Sequence, residues 1–256
     1  MSSELTNVAH TDAAYGAVAR EYYDALLHPT CSNFNFLSRQ YISRFAFRVT
    51  QAESVLEVGA GDSSVAAMLY QADFSLSQLT LSDLSASMLS YSHRWRELGA
   101  KLVVADAEQL DTWAPPHVDF IIAGLGDPYN TARFWRQIGA VLAPRGCLLF
   151  TTPSYEWASR FRGSDPADRS AAEFVTRTGA HLRMPSYISP LSAQIAMIED
   201  AGLMLLNFDA LGIDQLASQA ISSKLDVESK ESLLWGFLVM KPSKRSSSKE
   251  KLRRNY

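Results

Sequence analysis

Short apolar runs alternate with amphipathic stretches through the middle of the chain. Ser54-Val-Leu-Glu-Val58 reads as a strand that runs into glycines, and Val65 to Gln71 as the helix behind it. Gln78-Leu-Thr-Leu-Ser82 predicts a second strand, Ser85 to Leu98 a helix, and Lys101-Leu-Val-Val-Ala105 a third strand. Val118 to Ala123 predicts a fourth strand. Thr131 to Leu142 is helical in period and closes before the stop signal Pro144-Arg145-Gly146, and Cys147 to Thr152 predicts a fifth strand. Strands alternating with helices at this spacing predict right-handed βαβ units. The expected class is α/β: a Rossmann-like, doubly wound, mostly parallel sheet with helices on both faces.

The two ends differ from the middle. Ile188 to Ala201 predicts a helix, Leu203 to Asp209 a sixth strand, and Leu233 to Met240 a seventh, with a weakly helical stretch at Gln215 to Lys224 between them. Residues 154–189 hold Tyr155, Trp157, Phe161, Arg162 and Tyr187 and are too long for a plain connection, so a lid or specificity insertion is expected there. Asp12 to Val49 is helical and rich in aromatics, including Tyr15, Tyr22, Tyr23, Phe34 and Tyr41, and is expected to pack over the ligand-binding edge of the sheet. The chain thus divides into an N-terminal helical cap (1–49), a main domain (50–240) and a tail (241–256).

Composition adds the limits. Hydrophobic residues make up 47% and charged residues 20%, which excludes collagen, coiled coil or disorder for the whole chain. The tail carries seven Lys and Arg against one Glu and has no apolar period, so disorder is expected there. With a whole-chain charge of −3, the body is left at −9, the wrong sign for a nucleic-acid groove. Cys31 and Cys147 are too few for a disulfide framework and point to a reducing compartment. The N-terminus lacks the basic start and apolar stretch of a signal peptide, and the longest apolar runs are strand-sized. A cytoplasmic protein without membrane association is the expectation.

The candidate chemistry lies at Val55-Leu-Glu-Val-Gly-Ala-Gly-Asp-Ser-Ser64, where a buried strand turns sharply at two glycines into a helix. A dinucleotide fingerprint needs a third glycine where Ser64 stands, which weighs against a nicotinamide oxidoreductase. An acidic residue, Glu57, precedes the first glycine by two positions. This arrangement resembles motif I of the class I S-adenosylmethionine-dependent methyltransferases, and the resemblance continues in order over residues 50–153. Leu79-Thr-Leu-Ser-Asp83-Leu-Ser-Ala-Ser-Met88 is similar to motif II, Val104-Ala-Asp106-Ala107-Glu108 to motif III, and Asp119-Phe-Ile-Ile-Ala-Gly124 to motif IV. The resemblance implies a seven-stranded sheet with an antiparallel C-terminal strand, and S-adenosylmethionine as cofactor. It implies that Glu57, Gly59, Ala60 and Gly61 seat the methionine end and that Asp83 holds the ribose hydroxyls. Leu84 and Met88 would then lie near the adenine, Asp106 with the Ala107 N–H would read its amino edge, and Gly124 would belong to the motif IV edge. Tyr15 and Tyr23 match the tyrosine-bearing helix that covers the cofactor in many small-molecule members.

The reacting side is less determined, because methyl transfer needs proximity, orientation and at most a base. Asp127-Pro128-Tyr129-Asn130 follows the fourth strand, where an acceptor must sit, so Asp127, Tyr129 and Asn130 are the first candidates for contact with it. A loop opening a helix is the alternative for this segment. His28 is a candidate general base, with a turn residue before Pro29 as the alternative. Cys31 lies three residues on, but no further ligands cluster with the pair, so no metal is expected. The leading function is methyl transfer from S-adenosylmethionine to a small-molecule acceptor. Two alternatives stay open: a nucleic-acid or protein methyltransferase, favoured by the basic tail, and a partner protein that binds the cofactor without catalysis.

Overall fold

A computed structural model describes residues 12–216, 219–225 and 231–243. The nine strands are β1 (Val55–Val58), β2 (Leu79–Asp83), β3 (Lys101–Val104), β4 (Val118–Ala123), β5 (Leu142–Pro153), β6 (Ala171–Val175), β7 (His181–Pro185), β8 (Met204–Leu211) and β9 (Leu234–Met240). Seven of them form one sheet in the order β3-β2-β1-β4-β5-β9-β8. β1 to β5 run parallel, and β9 lies antiparallel to both β5 and β8. This is the expected doubly wound sheet with one reversed strand near the C-terminus.

The strand alternation sorts the core into two layers. Val55, Leu81, Phe120, Ile122, Leu149 and Leu238 face the helices Pro29–Ser43, Ala66–Gln71 and His93–Glu97. Leu56, Val58, Ile121, Leu148, Phe150 and Phe237 face the helices Leu110–Trp113, Ala132–Val141 and Leu191–Asp200. Strands buried on both faces are mostly apolar, which is why β1 and β4 read as runs and not as alternation, broken only by Glu57 and Asp119. The helix Ala132–Val141 shows the local logic. Its N-cap Thr131 accepts from Phe134 N at 3.2 Å, and it buries Phe134, Trp135, Ile138 and Val141 on one stripe. Each fully buried side chain of this kind contributes about 1.5–3 kcal/mol.

The winding reverses between β1 and β4. The chain leaves β1 toward β2 and β3 and returns on the other side of β1 as β4. That reversal opens a crevice at the carboxyl ends of β1 and β4, where ligands bind in open α/β sheets. The helix Pro29–Ser43 closes the crevice from the side. It is anchored by the fully buried Tyr41, whose ring lies against Gly236 of β9, where a Cβ would stand 2.6 Å from ring carbon Cε2.

Several expectations change in detail. The N-terminal region is not one helical run: residues 12–18 are helical, turns occupy 19–27, and helices follow at Pro29–Ser43 and Ala46–Thr50. The helix expected over Ser85–Leu98 breaks into Ala86–Leu89, a 3-10 turn at Ser90–Ser92, and His93–Glu97. Serine hydroxyls there bond to backbone carbonyls and compete with the helical ladder: Ser90 Oγ donates to Ser87 O at 2.7 Å and Ser92 Oγ to Gly61 O at 2.6 Å. The insertion holds the antiparallel hairpin β6–β7, which the sequence reading did not place. Beside its turn, Arg177 N donates to Glu21 Oε2 at 3.0 Å and Arg177 Nη2 pairs with Asp24 Oδ2 at 3.3 Å, tying it to residues 19–27. Disorder is expected for the basic tail 241–256, but its first residue is ordered: Lys241 N donates to Gly146 O at 3.0 Å and Lys241 Nζ to Leu142 O at 2.7 Å, while residues 244–256 lie outside the described residues. Among the described residues, no helix is long and apolar enough to cross a membrane.

Candidate active site

The crevice is built on the loop after β1. Gly59 (φ +63°) and Gly61 (φ +43°) take the left-handed conformation that turns the chain into the next helix. A Cβ on Gly59 would lie 2.7 Å from Tyr129 Oη, and one on Gly61 would collide with Tyr23 Oη. Glu57, 2% exposed, staples this loop. Its carboxylate accepts from Ser63 Oγ and from Ser64 N at 2.8 Å and Ser64 Oγ at 2.5 Å. Burial pushes its pKa up, and the serine hydrogen bonds oppose that shift. Ser92 adds a second staple, accepting from Ser63 N at 3.0 Å while it donates to Gly61 O. Ser92 escaped the sequence reading because it is 31 residues from Gly61, in a stretch with a helical pattern.

The neighbouring strand ends complete one wall. Asp83 Oδ2 accepts from Gly61 N at 3.0 Å and Oδ1 from Ser85 N at 2.9 Å. An ionised carboxylate has about four acceptor positions, so capacity for two more hydrogen bonds remains. Burial raises Asp83 to about 6, against the pull of these two N–H groups. Leu84, Met88, Asp106, Ala107 and Gly124 line the same cavity. Asp106 also caps the turn after β3, accepting from Glu108 N at 2.8 Å and Gln109 Nε2 at 3.1 Å.

Tyrosines form the cover. Tyr15 and Tyr23 line the cavity from the N-terminal segment. Tyr23 Oη accepts from Asp62 N at 2.8 Å, and its ring packs edge-on against Tyr91 at 5.0 Å between centroids. Arg39 enters from the helix Pro29–Ser43 and donates to Asp62 O at 2.9 Å. Ser38 and Asn35 of that helix also reach the wall. These three went unseen in the sequence, where they look like polar positions on an ordinary amphipathic helix. The wall therefore sets the carboxylates Glu57, Asp62, Asp83, Asp106 and Glu108 against one guanidinium, that of Arg39, which pairs with Asp62. Such a site suits a cationic ligand with hydroxyls to donate and disfavours a pyrophosphate.

A second cavity continues from the first, and both are lined by Tyr15, Tyr22, Leu125 and Pro128. Leu125 sits at the junction with φ +51°, and Thr151 Oγ1 accepts from its N–H at 2.8 Å. Asp127 lies in this second cavity. Its Oδ2 accepts from Ser186 Oγ at 2.5 Å, and Arg162 Nη2 in turn donates to Ser186 Oγ at 2.6 Å. Burial raises Asp127 to about 6, while Ser186 and Arg162 hold it down. His28 lines the cavity with its Nε2 buried and unpartnered, 3.9 Å from Glu21 Oε1. Burial lowers its pKa, against the opposing pull of Glu21 and Asp24, which favours the neutral ring.

The structure separates the candidates of the Asp127–Asn130 segment. Tyr129 belongs to the first cavity, where its Oη donates to Val58 O at 2.9 Å above Gly59. Asn130 is turned away from both cavities. It is 3% exposed, donates to Gln194 Oε1 at 2.7 Å and Tyr187 O at 3.2 Å, and accepts from Trp135 Nε1 at 2.9 Å. It ties the loop to the helices below and does not face an acceptor. Of the aromatic residues after β5, Trp157 lines the second cavity with Arg162, whereas Tyr155 does not. Among the described residues, no three His, Cys, Asp or Glu side chains group as metal ligands.

The comparisons agree with this geometry. Residues 55–146 match the family model of a methyltransferase domain. An S-adenosylmethionine-dependent methyltransferase from Clostridium acetobutylicum superposes with a TM-score of 0.60 at 14% identity, covering 86% of this chain and 96% of that one. The CcbJ methyltransferase from Streptomyces caelestis gives 0.59 at 15% identity, covering 91% and 98%. The DhpI–SAH complex gives 0.55 at 15% identity, covering 93% and 98%. No match is found among curated protein sequences. Residues 55–146 thus carry the sequence pattern of a methyltransferase domain, and the chain has the fold of these S-adenosylmethionine-dependent methyltransferases. The left-handed glycine cradle with its acidic wall fits S-adenosylmethionine, the methyl donor named for the Clostridium neighbour.

Proposed function

We propose that the protein transfers a methyl group from S-adenosylmethionine to a small-molecule acceptor held in the second cavity. The observation that carries this reading is the junction of the two cavities at Leu125 and Pro128, roofed by Tyr15 and Tyr22. A macromolecular acceptor would favour an open, basic approach, and this one is enclosed by the N-terminal segment and the insertion. The two cysteines are both free, which fits the cytoplasmic location included in this reading.

The roles follow from the placement. Glu57, Gly59, Ala60 and Gly61 shape the seat of the methionine end, and Arg39 pairs with its carboxylate. Asp83 accepts from the two ribose hydroxyls. Leu84 and Met88 pack on the adenine, and Asp106 with the Ala107 N–H reads its edge, while Gly124 leaves room at the end of β4. Tyr23, Tyr15 and Tyr129 exclude water from the seat. When bound, S-adenosylmethionine supplies an electrophilic methyl group on a cationic sulfur. Asp127 orients the acceptor and takes its proton; a carboxyl raised to about 6 is a better base than an ordinary one and is still ionised at pH 7. His28, neutral and unpartnered, holds a further polar group of the acceptor.

The reading is tested by incubating the protein with methyl-labelled S-adenosylmethionine and three extracts: small metabolites, total RNA and denatured protein. Label appearing in the metabolite fraction alone is expected. Label appearing only in RNA or protein would refute the small-molecule acceptor.

A further inference from the structure

Two groups of aromatic rings line the second cavity. In one, Tyr22 and Phe174 lie nearly parallel (12°), with the His28 ring 4.1 Å from Phe174 between centroids. In the other, Phe34 meets Trp157 at 4.6 Å and Trp157 meets Phe161 at 4.9 Å. All six line the cavity. A guest packed against such rings gains most by being a flat ring itself, because ring stacking adds to simple burial.

Polar groups then fix what the ring carries. The buried His28 Nε2 has no partner, so a wholly apolar guest leaves it unsatisfied. At the cavity floor, the Asp127 charge is offset by Arg162 through Ser186, so the floor accepts a hydrogen bond without demanding a cation. At the rim, Lys224 is exposed, with Nζ 5.9 Å from the Phe161 ring centroid. The carboxylate on the same wall, Glu173, is paired with His181 Nδ1 at 2.6 Å. Lys224 lines the cavity within electrostatic reach of Glu173, and its ammonium is the only lysine charge among the lining residues. An aromatic cage around a carboxylate would otherwise suggest an amine, but Arg162 and Lys224 both oppose a cationic guest.

We propose that the acceptor is a hydroxylated aromatic acid. Its ring packs against the two groups of aromatic rings, its hydroxyl points to Asp127 and its anionic group reaches Lys224. In the transfer, a C–O bond forms to the ring oxygen as the methyl–sulfur bond breaks. The electron pair of the broken bond stays on sulfur, and the hydroxyl proton passes to the Asp127 carboxylate. This assignment rests on the methyltransferase reading of the site and adds to it the class of the acceptor.

The test is calorimetric titration of the full chain saturated with S-adenosylhomocysteine. The probes are para-hydroxybenzoate and para-hydroxycinnamate, each beside its methyl ester. At least one acid is expected to bind, with its ester roughly tenfold weaker. Lys224→Met, a change at an exposed position, is expected to remove that preference by weakening the acid about tenfold while leaving the ester and S-adenosylhomocysteine unchanged. Acids and esters binding alike, acids not binding to the saturated protein, or a preference that survives Lys224→Met would each overturn the acceptor class and leave the cofactor reading standing. Failure of S-adenosylhomocysteine itself to bind would remove the underlying reading and this inference with it.

Discussion

The contact between Tyr23 and Gly61 makes a prediction in which stability and binding part ways. Gly61→Ala puts a Cβ at φ +43°, costing about 1–2 kcal/mol in backbone strain, and drives it into Tyr23 Oη. The hydroxyl must then leave its place at Asp62 N, losing a hydrogen bond worth about 1 kcal/mol. The single variant should therefore lose about 2–3 kcal/mol, or roughly 5–10 °C in Tm for a chain of this size. Tyr23→Phe alone should cost about 1 kcal/mol. In the double variant the new Cβ meets the ring carbon Cζ at 3.4 Å and Met88 Cε at 3.6 Å, both ordinary contacts, so the collision disappears. The two changes should then be non-additive by about 1 kcal/mol in urea unfolding. On the proposed seating of the cofactor against Gly61, the affinity for S-adenosylhomocysteine should not recover in the double variant, because the Cβ remains. Strictly additive unfolding energies would refute the close contact. Restored affinity would refute the claim that the cofactor lies against Gly61.

The remaining predictions concern the carboxylates and the loop anchor. Asp83→Ala removes the charge-assisted ribose contacts and should weaken S-adenosylhomocysteine by about 1.5–3 kcal/mol, roughly 10- to 150-fold by calorimetry. Asp83 is raised to about 6 by burial and must be ionised to accept from the ribose, so affinity should hold at pH 7–8 and fall as the pH drops through about 6; an affinity flat from pH 5 to 8 would contradict this role. Asp127→Ala should leave cofactor affinity within about twofold and lower methyl transfer, because Asp127 lies in the second cavity alone. Asn130→Ala leaves Trp135 Nε1 and Gln194 without their partner and should cost about 2–4 kcal/mol in unfolding, at no direct cost to cofactor contacts.

How far the sequence reached depends on the range of the interaction. Glu57, Gly59 and Gly61 were legible because a strand end and a left-handed turn lie within a few residues of one another, and Asp83 because it ends the next strand of the same motif order. The inner strands β1, β4, β5 and β9 were legible because burial on both faces makes them mostly apolar runs, whereas the edge strands β3 and β8 are largely unburied and stand out only as short apolar stretches. The hairpin β6–β7 was not: Ala171–Val175 and His181–Pro185 are short, mixed in polarity and stabilised by docking on residues 19–27. A turn signal did exist there in Thr178-Gly179, with Gly179 at φ +81°. Arg39, Ser38 and Ser92 reach the site across the fold, and their spacing carries no local mark. Asn130 misled for the same reason, since its three partners, Trp135, Tyr187 and Gln194, decide where its amide points.

The central claim is that the crevice between β1 and β4 holds S-adenosylmethionine. Its most direct test is calorimetric titration of the purified full chain with S-adenosylmethionine and S-adenosylhomocysteine, with NADH as the control. Micromolar binding of the first two, abolished or strongly weakened in Asp83→Ala, and no binding of NADH is the predicted result. Binding of NADH in their place, or the absence of binding by either sulfur compound, would contradict it.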